Sequence, residues 1–287
     1  MTTTATATNQ VAKQQRPIER LKTVLYAPSV QTQFKNALGK HADKFVASVI
    51  DLYNTDQQLK ACNPDQVVME ALKAAVMGLP VNKQLGYAYI LSFKNKGVAT
   101  PTFVIGYKGL LQLAIRTGQY KNINADVVYE GEIGRRDKLT GSIAFDGQKS
   151  SEKVIGYFAH IELMNGYTKT LYSTLEEVAK HAKKYAPSLK FDTITAEQLA
   201  KLAGKDPTGI GWKGDFDSMA LKTVLRELLS KYGYLSIDMQ QAVADDQDYA
   251  PQSERDAAIQ DVEAKVISMD EAFEENQPED APAEPGY

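Results

Sequence analysis

The sequence contains one cysteine and no long hydrophobic run, and both features narrow the class of protein. Cys62 has no second cysteine with which to form a disulfide within the chain, as is usual in a reducing cytoplasm. No apolar run approaches the ~20 residues that span a membrane. The N-terminus, MTTTATATNQVAKQQ, lacks the hydrophobic region of a secretion signal. We therefore expect a cytoplasmic protein that makes no membrane contact.

Motifs for catalysis and for cofactor binding are also scarce. The three histidines lie far apart in sequence, and no GxxxxGK[ST] phosphate-binding loop is present. Residues 209–214 match GxGxxG by letter, but a helical pattern precedes them where a dinucleotide site needs a strand. The carboxylates nearest to a nuclease-like set, Asp137, Asp146 and Glu152, show no metal-binding spacing. The sequence thus predicts no catalytic residue, no metal and no cofactor.

Charge is divided unevenly along the chain. Residues 239–287 contain 14 acidic and two basic residues, a net charge of −12, whereas residues 1–238 contain 31 basic and 22 acidic residues, a net charge of +9. A basic body with an acidic tail suggests a polyanionic partner. A solvated surface with a solubilising tail would give the same asymmetry.

The segment from Met77 to Gly118 combines basic and aromatic residues. Two apolar-aromatic runs, GYAYILSF and TPTFVIGY, flank Lys94-Asn95-Lys96-Gly97, which predicts a β-hairpin. The second run enters a helix at GYKG, a sequence that also matches the GxxG clamp of KH domains but here fits a tight strand-to-helix turn. Basic and aromatic side chains together can hold an unpaired nucleic-acid strand. The candidate contacts are Lys94, Lys96, Tyr107, Lys108 and Arg116 in this segment and Lys121 shortly after it.

A glycine-rich loop at residues 204–215 precedes a long helix that is predicted to end at Tyr232. Trp212 in this loop is either a base-stacking ring beside Lys213 or an anchor in the core, and the sequence does not decide between them. On the helix, Lys222 and Arg226 share one face, as Lys108 and Arg116 do earlier. Either pair could bind DNA or form an ordinary solvated face. The Arg135-Arg136 pair could likewise contact DNA or lie on the surface of a turn.

The periodic patterns predict an α+β fold in which an antiparallel sheet with hairpins is packed by helices. Two segments flank this sheet in the sequence. An N-terminal helical region, with patterns at 18–25 and 44–52, precedes it, and an acidic C-terminal tail follows it. We expect residues 1–16 to be disordered and residues 17–237 to form the DNA-binding and oligomerisation core. Residues 238–287 form the acidic tail, in which an apolar stripe predicts one amphipathic helix at about residues 253–275.

The ordered motifs GLP…GYAYI…F.IGYKGL..LA.R.G and W..DFDSMALKTVLREL resemble those of the phage RecT-type single-strand annealing proteins. The resemblance covers residues 63–234. It implies ATP-independent pairing of complementary single strands in phage recombination, through an annealing intermediate that becomes duplex. It also implies assembly into a homo-oligomeric ring or helical filament, a partner exonuclease and contact with the host single-strand binding protein.

The function that we predict is ATP-independent binding and annealing of single-stranded DNA by a non-catalytic oligomer with a basic groove, in the cytoplasm of a bacterial host. A metal-dependent nuclease and an adaptor that acts through its tail helix are the alternatives. The early helices, residues 18–52, are the first candidates for the subunit interface.

Overall fold

The computed structural model describes residues 16–240 of the chain, apart from Lys96, Phe191, Asp238 and Met239. Residues 1–15 of the predicted disordered segment, residues 241–287 of the acidic tail with its predicted helix at about 253–275, and the candidate DNA contact Lys96 lie outside the described residues. Within the described part, no helix is long and apolar enough to cross a membrane.

Helices and antiparallel strands alternate irregularly, which confirms the predicted α+β class. The helices are α1 (Pro17–Leu25), α2 (Pro28–Leu38), α3 (Ala42–Thr55), α4 (Pro64–Val76), α5 (Tyr107–Arg116), α6 (Leu175–Tyr185), α7 (Pro187–Lys190), α8 (Ala196–Ala200) and α9 (Phe216–Tyr232). The strands are β1 (Ala88–Asn95), β2 (Val98–Ile105), β3 (Tyr120–Tyr129), β4 (Val154–Leu163) and β5 (Thr168–Thr174).

These strands form two antiparallel sheets, whereas the sequence pattern suggested one. β1 and β2 form the predicted hairpin, in which Asn95 pairs with Val98 and Gly97 has a φ of +85°. β3, β4 and β5 form the second sheet in that order, and a turn at Asn165-Gly166 joins its last two strands. Because α5 begins directly after β2, it carries the chain away from the hairpin before the second sheet starts.

Helices α1 to α4 pack together ahead of the first strand. Asn63 caps α4 by accepting a hydrogen bond from the Asp65 backbone N–H at 2.9 Å. The sequence did not indicate α2, which buries only Phe34 and therefore has a weak apolar pattern. The Arg20 guanidinium donates two hydrogen bonds to the Asp65 carboxylate, at 2.9 and 2.6 Å, and so joins α1 to the start of α4.

Helix α9 is the central element of the second half of the described fold, because it contacts all three strands of the second sheet as well as α5. Its buried residues pack with the sheet residues Tyr157, Ala159 and Ile161 in one core. The Asp217 carboxylate on α9 accepts hydrogen bonds from the Tyr157 hydroxyl at 2.5 Å and from the Gly204 N–H at 2.9 Å. These contacts fix both the helix and the start of the glycine-rich loop against β4.

Residues 130–153 form an irregular hairpin, here called the arm, between β3 and β4. Backbone hydrogen bonds join Gly134 to Ala144 and Asp137 to Ser142, so the tip of the arm lies at residues 138–141. The arm lies on the sheet face opposite α9, where the Phe145 ring stacks on Phe158 with 4.5 Å between ring centroids. The arm therefore covers a face that would otherwise expose aromatic side chains.

Candidate nucleic-acid interface

The first turn of α5 packs directly against the backbone of residues 86 and 87. A Cβ on Gly106 would lie 2.1 Å from the Gly86 carbonyl oxygen, and a Cβ on Gly109 would lie 2.2 Å from that of Tyr87. The Gly106 N–H donates a hydrogen bond to the same Tyr87 oxygen at 2.8 Å. Neither Gly106 nor Gly109 has a positive φ, so both are required for space rather than for backbone conformation. The GYKG sequence is thus a packed strand-to-helix turn.

The N-terminus of α5 presents uncapped N–H groups beside a lysine. Gly106 at the N-cap has no side chain to accept their hydrogen bonds, and the first turn contains no acidic residue. Lys108 lies in this turn and is exposed. A helix dipole disfavours a cation at this end, but a phosphate bound here would accept hydrogen bonds from the N–H groups and pair with the ammonium group. Such a turn is suited to bind one phosphate of a nucleic-acid strand.

The N-terminal end of α9 lies near this turn. The pKa of Tyr89 on β1 is raised, mainly by burial and to a smaller extent by the negative charge of Asp215, the N-cap residue of α9. Helices α5 and α9 also contact each other. The GYKG turn and the start of α9, which are far apart in sequence, therefore lie near each other. We call residues 86–89, 106–109 and Asp215 the α5–α9 site.

Three tyrosines contribute to the α5–α9 site, and all three are partly buried: Tyr87, Tyr89 and Tyr107. Tyr107, a predicted DNA contact, packs against the core, and burial followed by the Asp126 charge raises its pKa. The sequence analysis did not single out Tyr87 or Tyr89 as contacts. The signal that could have found them is the second Gly-Tyr pair, Gly86-Tyr87, which resembles Gly106-Tyr107 and packs against it.

Trp212 is a core residue, so the structure decides between the two interpretations of its role. Its side chain is only 5% exposed and lies against Phe216 on α9. The buried ring offers no open face for base stacking in this conformation, which favours the core interpretation. The adjacent Lys213 does reach the surface, where its ammonium group lies 2.6 Å from the Asp192 carboxylate. A phosphate at Lys213 would have to compete with that ion pair.

Two other predicted contacts in the central segment lie away from the α5–α9 site. Lys94 is exposed near the far end of the hairpin, about 20 Å along β1 from Ala88. Arg116 lies at the opposite end of α5 from Lys108. Its guanidinium donates hydrogen bonds to the carbonyls of Met77 and Gly78, at 2.8 and 3.0 Å. Arg116 therefore stabilises the C-terminal end of α4, a role that the sequence pattern did not indicate.

The basic residues on the second sheet and the arm are partly engaged within the fold. The Lys121 ammonium group lies 2.6 Å from the Glu162 carboxylate. Arg136 lies over the Tyr172 ring, 5.3 Å from its centroid, and so helps to hold the arm on the sheet. Arg135, next to it, is exposed.

Lys222 and Arg226 do not form the open solvated face that their spacing suggested. Both are only partly exposed, and each has an interaction partner. Arg226 lies close enough to His181 on α6 to contribute to lowering its pKa, although burial is the larger cause. Arg226 therefore lies near α6 rather than on an open solvated face.

The carboxylates that we considered for a nuclease site have structural partners. Asp137 accepts a hydrogen bond from the Leu139 N–H at 2.9 Å in the arm tip, and Glu152 pairs with Lys149 at 2.7 Å. Asp146 lies beside Gly134, where a Cβ would clash with its carboxylate. Within the described residues, no group of three or more His, Cys, Asp or Glu side chains is arranged to hold a metal ion.

An α+β fold with an uncapped helix N-terminus, an exposed lysine and neighbouring tyrosines is suited to hold a nucleic-acid strand. The family model described as the RecT family matches residues 43–262, and the chain belongs to this family. It is 28% identical over 231 residues to Protein RecT of Escherichia coli (strain K12), with 77% of each chain covered. It is 41% identical over 253 residues to the uncharacterized protein YqaK of Bacillus subtilis (strain 168), with 86% of this chain and 81% of YqaK covered. Family membership supports a role in single-strand annealing and recombination.

Proposed function

We propose that this protein binds single-stranded DNA and anneals it to a complementary strand without ATP, acting as an oligomer in phage recombination. The observation that carries the proposal is the first turn of α5. It combines uncapped N–H groups, no acidic residue and the exposed Lys108 in a chain of the RecT family. Phosphate is the ligand that satisfies both the N–H groups and the lysine.

The mechanism that we propose needs no base-specific contact. Lys108 and the α5 N–H groups hold phosphates, and binding releases counterions from the strand. The partly buried tyrosines of the α5–α9 site limit the space beside the DNA backbone. The pairing edges of the bases therefore face outward. The second strand, not the protein, then reads the sequence. Repetition of the site in an oligomer gives a continuous basic groove and adds avidity.

The candidate contacts divide into two groups on geometric grounds. Lys94, Lys108 and Arg135 are exposed and their side chains form no hydrogen bond or ion pair within the described residues, and we propose that they contact phosphates directly. The other basic candidates within the described residues already have partners: Arg116, Lys121, Arg136, Lys213, Lys222 and Arg226. We propose that they contribute mainly through the local electrostatic field. We further propose, from the family resemblance, that no residue of this chain is catalytic, and that an exonuclease and the host single-strand binding protein are partners in the bacterial cytoplasm.

Binding assays with Lys108 variants test this proposal. Lys108→Glu should weaken binding of a labelled single strand at least tenfold at low salt, because a carboxylate would repel the phosphate at the helix end. Lys201→Glu is a matched control, since Lys201 is an exposed lysine at the end of α8 outside the α5–α9 site. Equal loss of affinity in the two variants would show that only total charge matters, and the α5 turn would then not be the binding site.

A further inference from the structure

Three exposed tyrosines lie together at one end of the second sheet. Tyr167, Tyr232 and Tyr234 are 42%, 38% and 51% exposed, and they are three of the four exposed tyrosines in the described part of the chain. An exposed tyrosine ring offers a face on which an unpaired base can stack. The α5–α9 site has no tyrosine as open as these, because all of its tyrosines are partly buried.

Direct contacts join these tyrosines from two parts of the chain. Tyr167 lies in the tight turn between β4 and β5. The Tyr120 hydroxyl donates a hydrogen bond to the Tyr234 carbonyl at 2.8 Å and so holds the segment after α9 against β3. The Lys169 ammonium group, two residues after Tyr167, lies 5.0 Å from the centroid of the Tyr232 ring. The three rings are thus attached to backbone that the fold already holds in place.

Two lysines without a carboxylate partner accompany the tyrosines. Within the described residues, Lys138 and Lys169 form no ion pair, and Lys138 is exposed. The Lys169 ammonium group would lie 2.9 Å from a Cβ on Gly141, so the tip of the arm, with Lys138, reaches the same end of the sheet. The carboxylates near this end already have partners: Glu162 with Lys121, Glu227 with Lys231, and Asp137 with the Leu139 N–H. We call the following set the tyrosine surface: Tyr167, Tyr232, Tyr234, Lys138 and Lys169.

The tyrosine surface lies at the opposite end of α9 from the α5–α9 site. Asp215 of that site caps the start of α9, and Tyr232 is the last residue of the helix. A helix of 17 residues is roughly 25 Å long, which corresponds to about seven nucleotides of a strand at ~3.4 Å each. Two contacts that far apart are separate sites rather than parts of one pocket.

We propose that the tyrosine surface is a second contact for single-stranded DNA, on which unpaired bases stack. This inference rests on the proposed function and adds to it, because the α5–α9 site holds phosphates whereas the tyrosine surface holds bases. Stacking on a protein ring requires an open base face, which a duplex offers only at its ends. The tyrosine surface should therefore hold a strand before pairing and release it once the duplex has formed.

The composition of this surface favours a nucleic-acid strand over a protein partner. Lysine is depleted in protein–protein interfaces, whereas sites for single strands combine aromatic rings with cations. Aliphatic side chains are also exposed at this end: Leu139, Met164 and Ile237. They add apolar area against which sugars and base faces can pack. A protein partner would not require unpaired bases, so the two kinds of ligand can be distinguished by experiment.

A double variant that removes two rings tests the stacking contact. Tyr167→Ser combined with Tyr234→Ser should weaken binding of a labelled single strand by the full-length protein roughly tenfold or more, measured by fluorescence anisotropy. Replacing the same two residues by phenylalanine keeps both rings and should leave the affinity unchanged. Tyr26→Ser is the matched control, because Tyr26 is 60% exposed at the end of α1 and lies outside both sites; this variant should bind like the parent.

An oligonucleotide made of abasic sites gives the sharpest comparison, because it keeps the phosphates and lacks the base faces. The parent chain and the double serine variant should bind this strand equally. Lys108→Glu should instead weaken binding of the abasic and the ordinary strand alike, since it acts on phosphates. The two sites can thus be told apart by the strand to which each variant loses affinity.

Several results would overturn the stacking contact. They are an unchanged affinity of the double serine variant for the ordinary strand, an equal loss on the abasic strand, a loss in the phenylalanine variant, and a loss in the Tyr26→Ser control. A serine variant that binds DNA like the parent but changes the mass of the assembled protein would assign the surface to a protein partner. A parent chain that binds no single strand contradicts the proposed function itself, whereas a parent that binds as well as its serine variant refutes the tyrosine surface alone.

Discussion

Trp212 lies edge-on against Phe216, with 5.4 Å between the ring centroids and 65° between the ring planes. This contact joins the glycine-rich loop to the first residue of α9. Trp212→Ala should therefore lower the free energy of unfolding by about 3–5 kcal/mol, whereas Trp212→Phe should cost less because it keeps an aromatic contact. Denaturant unfolding followed by circular dichroism measures both changes. If Trp212→Ala unfolds like the parent but binds single strands poorly, the ring has a binding role that its burial does not show.

The roles of Lys108 and Arg116 should separate in a paired experiment. Arg116→Ala removes two hydrogen bonds to backbone carbonyls and should lower the free energy of unfolding by about 1–2 kcal/mol. Lys108→Ala removes no such contact and should leave stability unchanged. It should weaken DNA binding and reduce the slope of log K against log salt by about 0.7, the value for one phosphate contact on a single strand. The reverse pattern, with Lys108→Ala unstable and Arg116→Ala weak in binding, would contradict the DNA-binding role of Lys108 and the structural role of Arg116.

The glycines of the GYKG turn should tolerate no Cβ. Gly106→Ala and Gly109→Ala would each place a methyl group within about 2.2 Å of a backbone oxygen, and each should destabilise the protein by about 1–3 kcal/mol or more. Gly209→Ala is the control, because Gly209 also lacks a positive φ and its nearest neighbour to a Cβ is 3.8 Å away. Thermal melts of the three variants measure the difference. Equal melting temperatures for Gly106→Ala and Gly209→Ala would refute the close approach of residues 86 and 87.

Stability should fall at alkaline pH through Tyr120. Burial raises the pKa of this phenol from its ordinary value of 10.0 to about 12. Between these two values the unfolded chain releases the proton while the folded protein keeps it, so the stability that is present below pH 10 is lost as pH rises toward 12. Tyr120→Phe should therefore lose less stability over this interval than the parent chain. Identical pH profiles of the free energy of unfolding would show that the Tyr120 hydroxyl is not shielded from water.

Local sequence signals predicted much of the fold, because caps, turns and periodicity act over a few residues. The Lys94–Gly97 turn, the strand-to-helix turn at GYKG and the end of α9 at Tyr232 are such cases. Burial depends on neighbours that are distant in sequence and was harder to predict. Ile115 fits the packing face of α5 by spacing yet is 61% exposed, because no other described element covers it.

The candidate site shows the same limit. The spacing of Lys108 and Arg116 correctly placed both at the surface of α5, but it could not reveal the two carbonyls that Arg116 binds at the end of α4. Composition likewise could not show that Trp212 packs inward or that Asp192 pairs with Lys213. Each of these contacts joins segments whose proximity is created only by the folded chain.

The most direct test of the account is an annealing assay on two complementary oligonucleotides carrying a fluorophore and a quencher, with the full-length protein in EDTA and without ATP. We expect duplex to form faster with the protein than without it. Annealing should be suppressed as salt rises and should depend little on base sequence at equal composition. Both strands should remain intact on a denaturing gel. Lys108→Glu should anneal more slowly than Lys201→Glu under the same conditions. Failure to accelerate pairing, or strand breakage on addition of Mg²⁺, would contradict the account.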